Sequence, residues 1–174
     1  MIHAPSALDP RFPALKRVLA IDPISRGFGF VVLEGPDRLI DWGVVHVRNA
    51  KHKGCLSRIG QLIDQYIPDT LVTEDVTASG SRRGARVRNL VEAIQILAKE
   101  KRVACRKVSR QGVRRAYSGS GAQTKHQIAS VIADRFPELR SRLPRPRKCY
   151  ESADDRMAIF DAASFALALM RDIL

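Results

Sequence analysis

The sequence predicts an α/β fold, a mixed five-stranded sheet with three antiparallel strands first and helices on both faces. Two observations of order carry this. Three runs rich in β-branched and aromatic residues follow one another near the N-terminus, and after them helix-period segments alternate with short apolar runs. The third observation is one of quantity. With 174 residues, 45% of them hydrophobic, the chain can bury roughly two thirds of the surface that its unfolded form exposes.

Residues 1–16 are punctuated by Pro5, Pro10 and Pro13, which break every apolar run before it reaches the length of a secretion signal, and they read as an N-terminal arm. The remainder, 17–174, is expected to form one domain. Strands are expected over 18–22, 27–32 and 39–47, joined by turns at 23–26 and 34–36. Leu56, Ile59, Leu62, Ile63 and Tyr66 recur at helical spacing, and 70–76 is a short buried strand bounded by Pro68-Asp69 and Ala78-Ser79-Gly80. Val87, Leu90, Val91, Ile94 and Leu97 mark a second amphipathic helix, followed by a strand over 103–108. Two helices are expected next, over 110–117 and 124–136, the second with Ile128, Val131, Ile132 and Phe136 on one face. Residues 137–152 carry prolines and five basic side chains without a period and read as a basic loop. A strongly apolar helix over about 155–173 closes the chain.

Thirty Lys plus Arg against eighteen Asp plus Glu give a net charge of +12, which points to a polyanionic partner, nucleic acid above all. The apolar content excludes a charged disordered tail. The longest nearly apolar stretch, 157–170, has 14 residues and contains Asp161, too short and too polar for a bilayer, so no membrane partner is expected. Cys55, Cys105 and Cys149 are odd in number, dispersed and without C-x-x-C spacing, which supports neither a disulfide framework nor a zinc module and fits reduced cysteines in a cytoplasmic protein. The segment 119–125 lacks the Gly-Lys-Ser/Thr ending of a P-loop, so no nucleotide cofactor is expected.

The informative residues are the acids that interrupt apolar pattern. Asp22 ends the first strand after Val18-Leu19-Ala20-Ile21, and Glu74 sits late in the strand that carries Leu71-Val72-Thr73. Asp22 alone would pass for a turn residue before a proline, and Glu74 alone for a solvent-facing edge position. Asp75 must face away from Glu74, because side chains alternate along a strand. Asp161 is the only charged residue between Met157 and Met170, in a helix whose every face is apolar. A buried carboxylate there needs a salt bridge or a cation. Asp154 stands seven residues earlier, which is two helical turns, while Asp155 resembles an N-terminal cap. Converging acids without His or Cys partners select hard cations, so Mg²⁺ or Mn²⁺ is the expected cofactor. Two such ions about 4 Å apart can activate water and stabilise the leaving oxygen of a phosphodiester.

The chain resembles the RuvC family of Holliday-junction resolvases, in the ribonuclease-H-like superfamily. The resemblance rests on VLAIDPISRGFGFVVLEG (18–35), LVTEDVTASGSRRGARVRNLVEAI (71–94), VSRQGVRRAYSGSGAQTKHQIASVIADRF (108–136) and FDAASFALAL (160–169), in family order. It implies a ribonuclease-H-like fold and metal-dependent cleavage of branched DNA, the four-way junction, by a homodimer. It also implies that Asp22, Glu74 and Asp161 are catalytic metal ligands and that Lys125 matches the family lysine near the scissile phosphate. Where the family's last helix offers a second acid three residues from the first, this chain has Ala158 and Ser164. Asp154 is the substitute expected as fourth catalytic ligand, with Asp155 or a three-carboxylate site as alternatives. Where the family often places an aromatic wedge, this chain has Thr77, Ala78 and then Ser81-Arg82-Arg83-Gly84, so either charge would replace stacking or the substrate would be another branched or bubble structure.

DNA contacts are expected from Arg82, Arg83, Arg86 and Arg88 after Glu74, from Arg114, Arg115 and Lys125 around the turn at Gly119–Gly121, and from Arg145 and Arg147 in the basic loop. Such contacts grip backbone phosphates without reading bases. Two other functions remain consistent with the sequence: a non-catalytic nucleic-acid-binding module on the same fold, and a nuclease acting on RNA–DNA hybrids.

Overall fold

In the computed structural model, residues 16–48, 51–148 and 150–173 are described. The expected N-terminal arm, apart from Lys16, and Cys149 lie outside these residues.

Alternation along β1 (Arg17–Ile24) sets the architecture. Val18 and Ala20 point into one hydrophobic cluster, Leu19 and Ile21 into another, and all four are buried. Strand β1 is therefore sandwiched on both faces. It pairs antiparallel with β2 (Gly27–Glu34), which pairs antiparallel with β3 (Arg38–His46). On its other side β1 pairs in parallel with β4 (Thr70–Glu74), which pairs in parallel with β5 (Ala104–Val108). The resulting order is β3-β2-β1-β4-β5, the mixed five-stranded sheet expected from the sequence.

Helices α1 (Lys51–Tyr66) and α2 (Ala85–Glu100) cover one face through Cys55, Ile59, Ile63, Leu90, Ile94 and Ala98. The opposite face carries α3 (Arg110–Tyr117), α4 (Lys125–Arg135) and α5 (Met157–Ile173). Ser109 caps α3 by accepting the Gly112 N–H at 3.0 Å, and Thr124 with Gln127 forms a capping box on α4. Helix α5 is buried on almost every side, with Phe160, Ala162, Phe165 and Ala166 at or near zero exposure. It lies so close to β2 that a Cβ on Gly29 would stand 2.4 Å from the Ala158 carbonyl carbon. Only glycine allows that approach. Gly29 is the β2 partner of Asp22, and Ala158 is three residues before Asp161, so this contact helps bring the two acids together.

Element boundaries differ from the sequence expectation in several places; β1 and β2, for example, each run two residues further, to Ile24 and Glu34. Strand β4 stops at Glu74, because the Asp75 carboxylate accepts the Thr77 N–H at 3.1 Å and its hydroxyl at 2.7 Å, turning the chain. The basic segment opens with a 3₁₀ helix, Pro137–Arg142, anchored by the fully buried Leu139. Helix α5 starts at Met157, two residues later than expected. Among the described residues no helix is long and apolar enough to cross a membrane. Cys55 is buried and Cys105 half-buried, and burial pushes both thiols above their usual pKa.

Candidate active site

Strand register and side-chain parity place the acids. Val18 and Ala20 face the α5 side of the sheet, so Asp22, next in that series, faces it too; Val72 and then Glu74 do the same on β4. Ile21 is paired with Thr73, and Asp22 and Glu74 follow one residue beyond. Both acids therefore sit side by side at the carboxyl ends of parallel strands, where open α/β sheets bind ligands. Asp161 comes down onto them from α5. Their exposures are 1%, 2% and 7%, so each charge must be compensated inside the protein.

Three basic side chains supply the compensation. Arg110, the first residue of α3, donates from Nη1 to Asp161 Oδ1 at 2.7 Å. Its Nη2 lies 3.1 Å from Glu74 Oε2, 3.3 Å from Asp161 Oδ2 and 3.6 Å from Asp22 Oδ1. One cationic nitrogen thus faces all three carboxylates. The guanidinium is also stacked over Phe165, 4.9 Å from the ring centroid. Arg83 donates from Nε to Glu74 Oε2 at 2.7 Å, from Nη2 to Asp22 Oδ1, and from Nη1 to the Pro23 carbonyl at 3.2 Å. Lys125 reaches Asp161 Oδ2 at 2.8 Å while its side chain remains largely exposed.

This arrangement pulls the acids in opposite directions. Burial, reinforced by the charge of Asp161, pushes the Asp22 carboxyl up to about 7, against the lowering influence of Arg83, Arg110 and Lys125. Burial also opposes ionisation of Asp161, but Arg110 and Lys125 outweigh it and hold this carboxyl below its usual value. Both arginines are held above the usual guanidinium value, because the nearby carboxylates outweigh their burial.

The donor set suits a hard divalent cation: three carboxylates on three different elements, facing one cation position, with no His or Cys among them. As they stand, the acids are spaced by the guanidinium groups, and among the described residues no three His, Cys, Asp or Glu side chains are gathered tightly enough to ligate one ion.

Asp22, Glu74, Asp161 and Lys125 meet as the sequence suggested, and the salt-bridge alternative for Asp161 is realised at the same time. Asp154 does not join them. It lies before α5, so the two-turn spacing has no helix to act through, and its carboxylate is exposed and bonded to Arg156 Nη2 at 2.6 Å. That contact holds its pKa below the usual value. Asp155 is occupied elsewhere, 2.9 Å from His46 Nε2 and 3.3 Å from Arg26. Arg83, expected on the DNA-binding rim, is in the centre instead. Arg88 turns its Nε onto the Arg83 carbonyl at 2.9 Å. Arg82, Arg86, Arg114, Arg115, Arg145 and Arg147 are exposed and make no ion pair with the described residues. His126 bonds the Pro144 carbonyl at 2.9 Å, fixing the basic segment just after its 3₁₀ helix beside α4.

Sequence reasoning missed Arg110. Its signal was topological: β5 runs parallel to β4 with Val108 opposite Glu74, so the residues just after Val108 emerge at the same end of the sheet as the acids.

No protein-family model matches the chain. It is 31% identical over 125 residues to the crossover junction endodeoxyribonuclease RuvC of Akkermansia muciniphila, the match covering 67% of this chain and 75% of that protein. In fold it is similar to Thermus thermophilus RuvC in complex with a Holliday junction substrate, with a TM-score of 0.65, 18% identity and coverage of 91% of this chain and 95% of the other. It is also similar to the yeast mitochondrial Holliday junction resolvase Ydc2, with a TM-score of 0.63, 14% identity and coverage of 91% and 79%.

Proposed function

The chain belongs to the RuvC family of crossover junction endodeoxyribonucleases, and from that premise we propose that it is a metal-dependent, structure-selective DNA endonuclease that resolves Holliday junctions. The observation that carries the reading is the convergence of Asp22, Glu74 and Asp161, from β1, β4 and α5, around one cationic nitrogen. The domain over 17–174 holds this centre, and two copies acting as a homodimer would present one centre to each of two strands.

Asp22, Glu74 and Asp161 would hold Mg²⁺, or Mn²⁺ in its place. When bound, the metal supplies activation of water and stabilisation of the charge that develops on the leaving oxygen. Lys125 extends from the edge of the centre with an exposed side chain and would hold a phosphate oxygen of the strand to be cut. Arg82, Arg86, Arg114, Arg115, Arg145 and Arg147 grip flanking phosphates, which orients the DNA without reading its sequence. The raised carboxyl of Asp22 must lose its proton before it can bind metal, so metal affinity should rise with pH, and bound metal in turn favours the ionised carboxylate.

The test is a substrate panel in Mg²⁺: a four-way junction, a linear duplex and an RNA–DNA hybrid of the same sequence. Junction cleavage well above the other two is expected. Preferential cutting of the hybrid, or tight junction binding without cleavage in Mg²⁺ and in Mn²⁺, would overturn the reading.

A further inference from the structure

The three carboxylates already face three side-chain cations. A divalent ion entering without any departure would leave two uncompensated positive charges in a centre whose acids are almost fully buried, an arrangement disfavoured by desolvation and like-charge repulsion. Some side-chain cation must therefore leave. Lys125 bonds only Asp161 among the three acids, so its departure would free neither Asp22 nor Glu74, and the two arginines that contact both are not equally held.

Arg110 is fixed from several sides. It contacts all three acids, stacks on Phe165, and starts a helix capped by Ser109. Arg83 contacts two acids and one carbonyl, and it stands in the stretch 81–84, which has no helix or strand assignment. The next residue, Gly84, is the N-cap of α2 and has no side chain with which to make a capping bond. Its neighbours Arg82, Arg86 and Arg88 are exposed, so a guanidinium leaving the centre at this point joins an existing basic cluster.

We infer that Arg83 is a displaceable counter-cation: binding of the first divalent ion at Asp22 and Glu74 expels its guanidinium, which then binds a DNA phosphate beside Arg82, Arg86 and Arg88. With Arg83 gone and one phosphodiester in place, a single divalent ion, Arg110 and Lys125 balance the three carboxylates and the phosphate. Metal and DNA binding thereby support each other through one side chain. This inference rests on reading the centre as that of a metal nuclease.

Metal binding by calorimetry tests it without reference to cleavage. Because Arg83→Gln removes the competing charge, it should bind Mg²⁺ about tenfold more tightly than the unaltered protein, a size common for coupled sites. Equal or weaker binding would overturn the inference alone, whereas no uptake by either protein would overturn it together with the nuclease reading. Arginine side-chain NMR on the unaltered protein gives a second measurement that does not depend on how the variant folds. The Arg83 Nε–H, which donates to Glu74, should be protected from solvent exchange without metal and lose that protection on saturation with Mg²⁺. Unchanged protection at saturation would contradict displacement. On a four-way junction with non-hydrolysable linkages, Mg²⁺ should increase the affinity of the unaltered protein about tenfold and that of Arg83→Gln by much less. An equal gain in both would exclude the hand-over to phosphate.

Discussion

At the carboxyl ends of β1 and β4 three acids meet Arg83, Arg110 and Lys125, whereas Arg82, Arg86, Arg114, Arg115, Arg145 and Arg147 stand exposed without an ion pair among the described residues. The same residue type thus plays two parts. In the centre an arginine compensates buried charge, so its loss falls on the stability of the fold. On the rim an arginine is solvated whether or not the fold is intact, so on the proposed reading its loss should fall on DNA binding and on the response to salt.

Deleting a central arginine separates the two regions most strongly. Arg110→Ala leaves Asp161 and Glu74 short of a partner and should destabilise the metal-free protein by about 3–5 kcal/mol, measured by urea denaturation. A loss as small as that of a surface substitution would mean that the centre is much wetter than its burial indicates. The rim should behave in the opposite manner. Arg145→Ala combined with Arg147→Ala should leave stability within about 0.5 kcal/mol. The same pair should weaken junction binding and lower the log–log salt slope by about 0.9 for each phosphate that is no longer neutralised. A fall in stability with an unchanged slope would reverse the assignment of the two regions.

The smallest effect is on pH. The Asp22 carboxyl is raised in the folded state, so the native protein holds a proton that the unfolded chain releases. Its contribution is fully present below the ordinary carboxyl pKa and is lost as pH rises through about 7. Metal-free protein should therefore lose thermal stability over that range, and Asp22→Asn should flatten the slope. A slope equal in both proteins would assign it to another group.

The contrast also explains what could be read in the sequence. Asp22, Glu74 and Asp161 were legible because each breaks an apolar run, and a charge inside a strand or buried helix needs a partner. The sheet and its helices were legible for the related reason that burial imposes a period on the residues. Arg110 was not, because one arginine among thirty basic residues has no contrast with its surroundings; the β4–β5 register alone singles it out. Asp154 was misplaced because its spacing from Asp161 assumed helix, and α5 begins only at Met157. The 3₁₀ helix at Pro137–Arg142 escaped because it has only the single fully buried anchor, Leu139, too little to show a period.

If the buried acids make the cutting centre while the exposed arginines only hold DNA, cleavage and binding must be separable by one substitution. Single-turnover cleavage of a four-way junction in Mg²⁺, measured beside junction affinity for the unaltered protein and Asp161→Asn, shows whether they are. Metal stabilisation of several kcal/mol corresponds to a loss of about a thousandfold or more in the cleavage rate of the variant, with binding retained. Cleavage by Asp161→Asn at the rate of the unaltered protein would contradict this division between centre and rim.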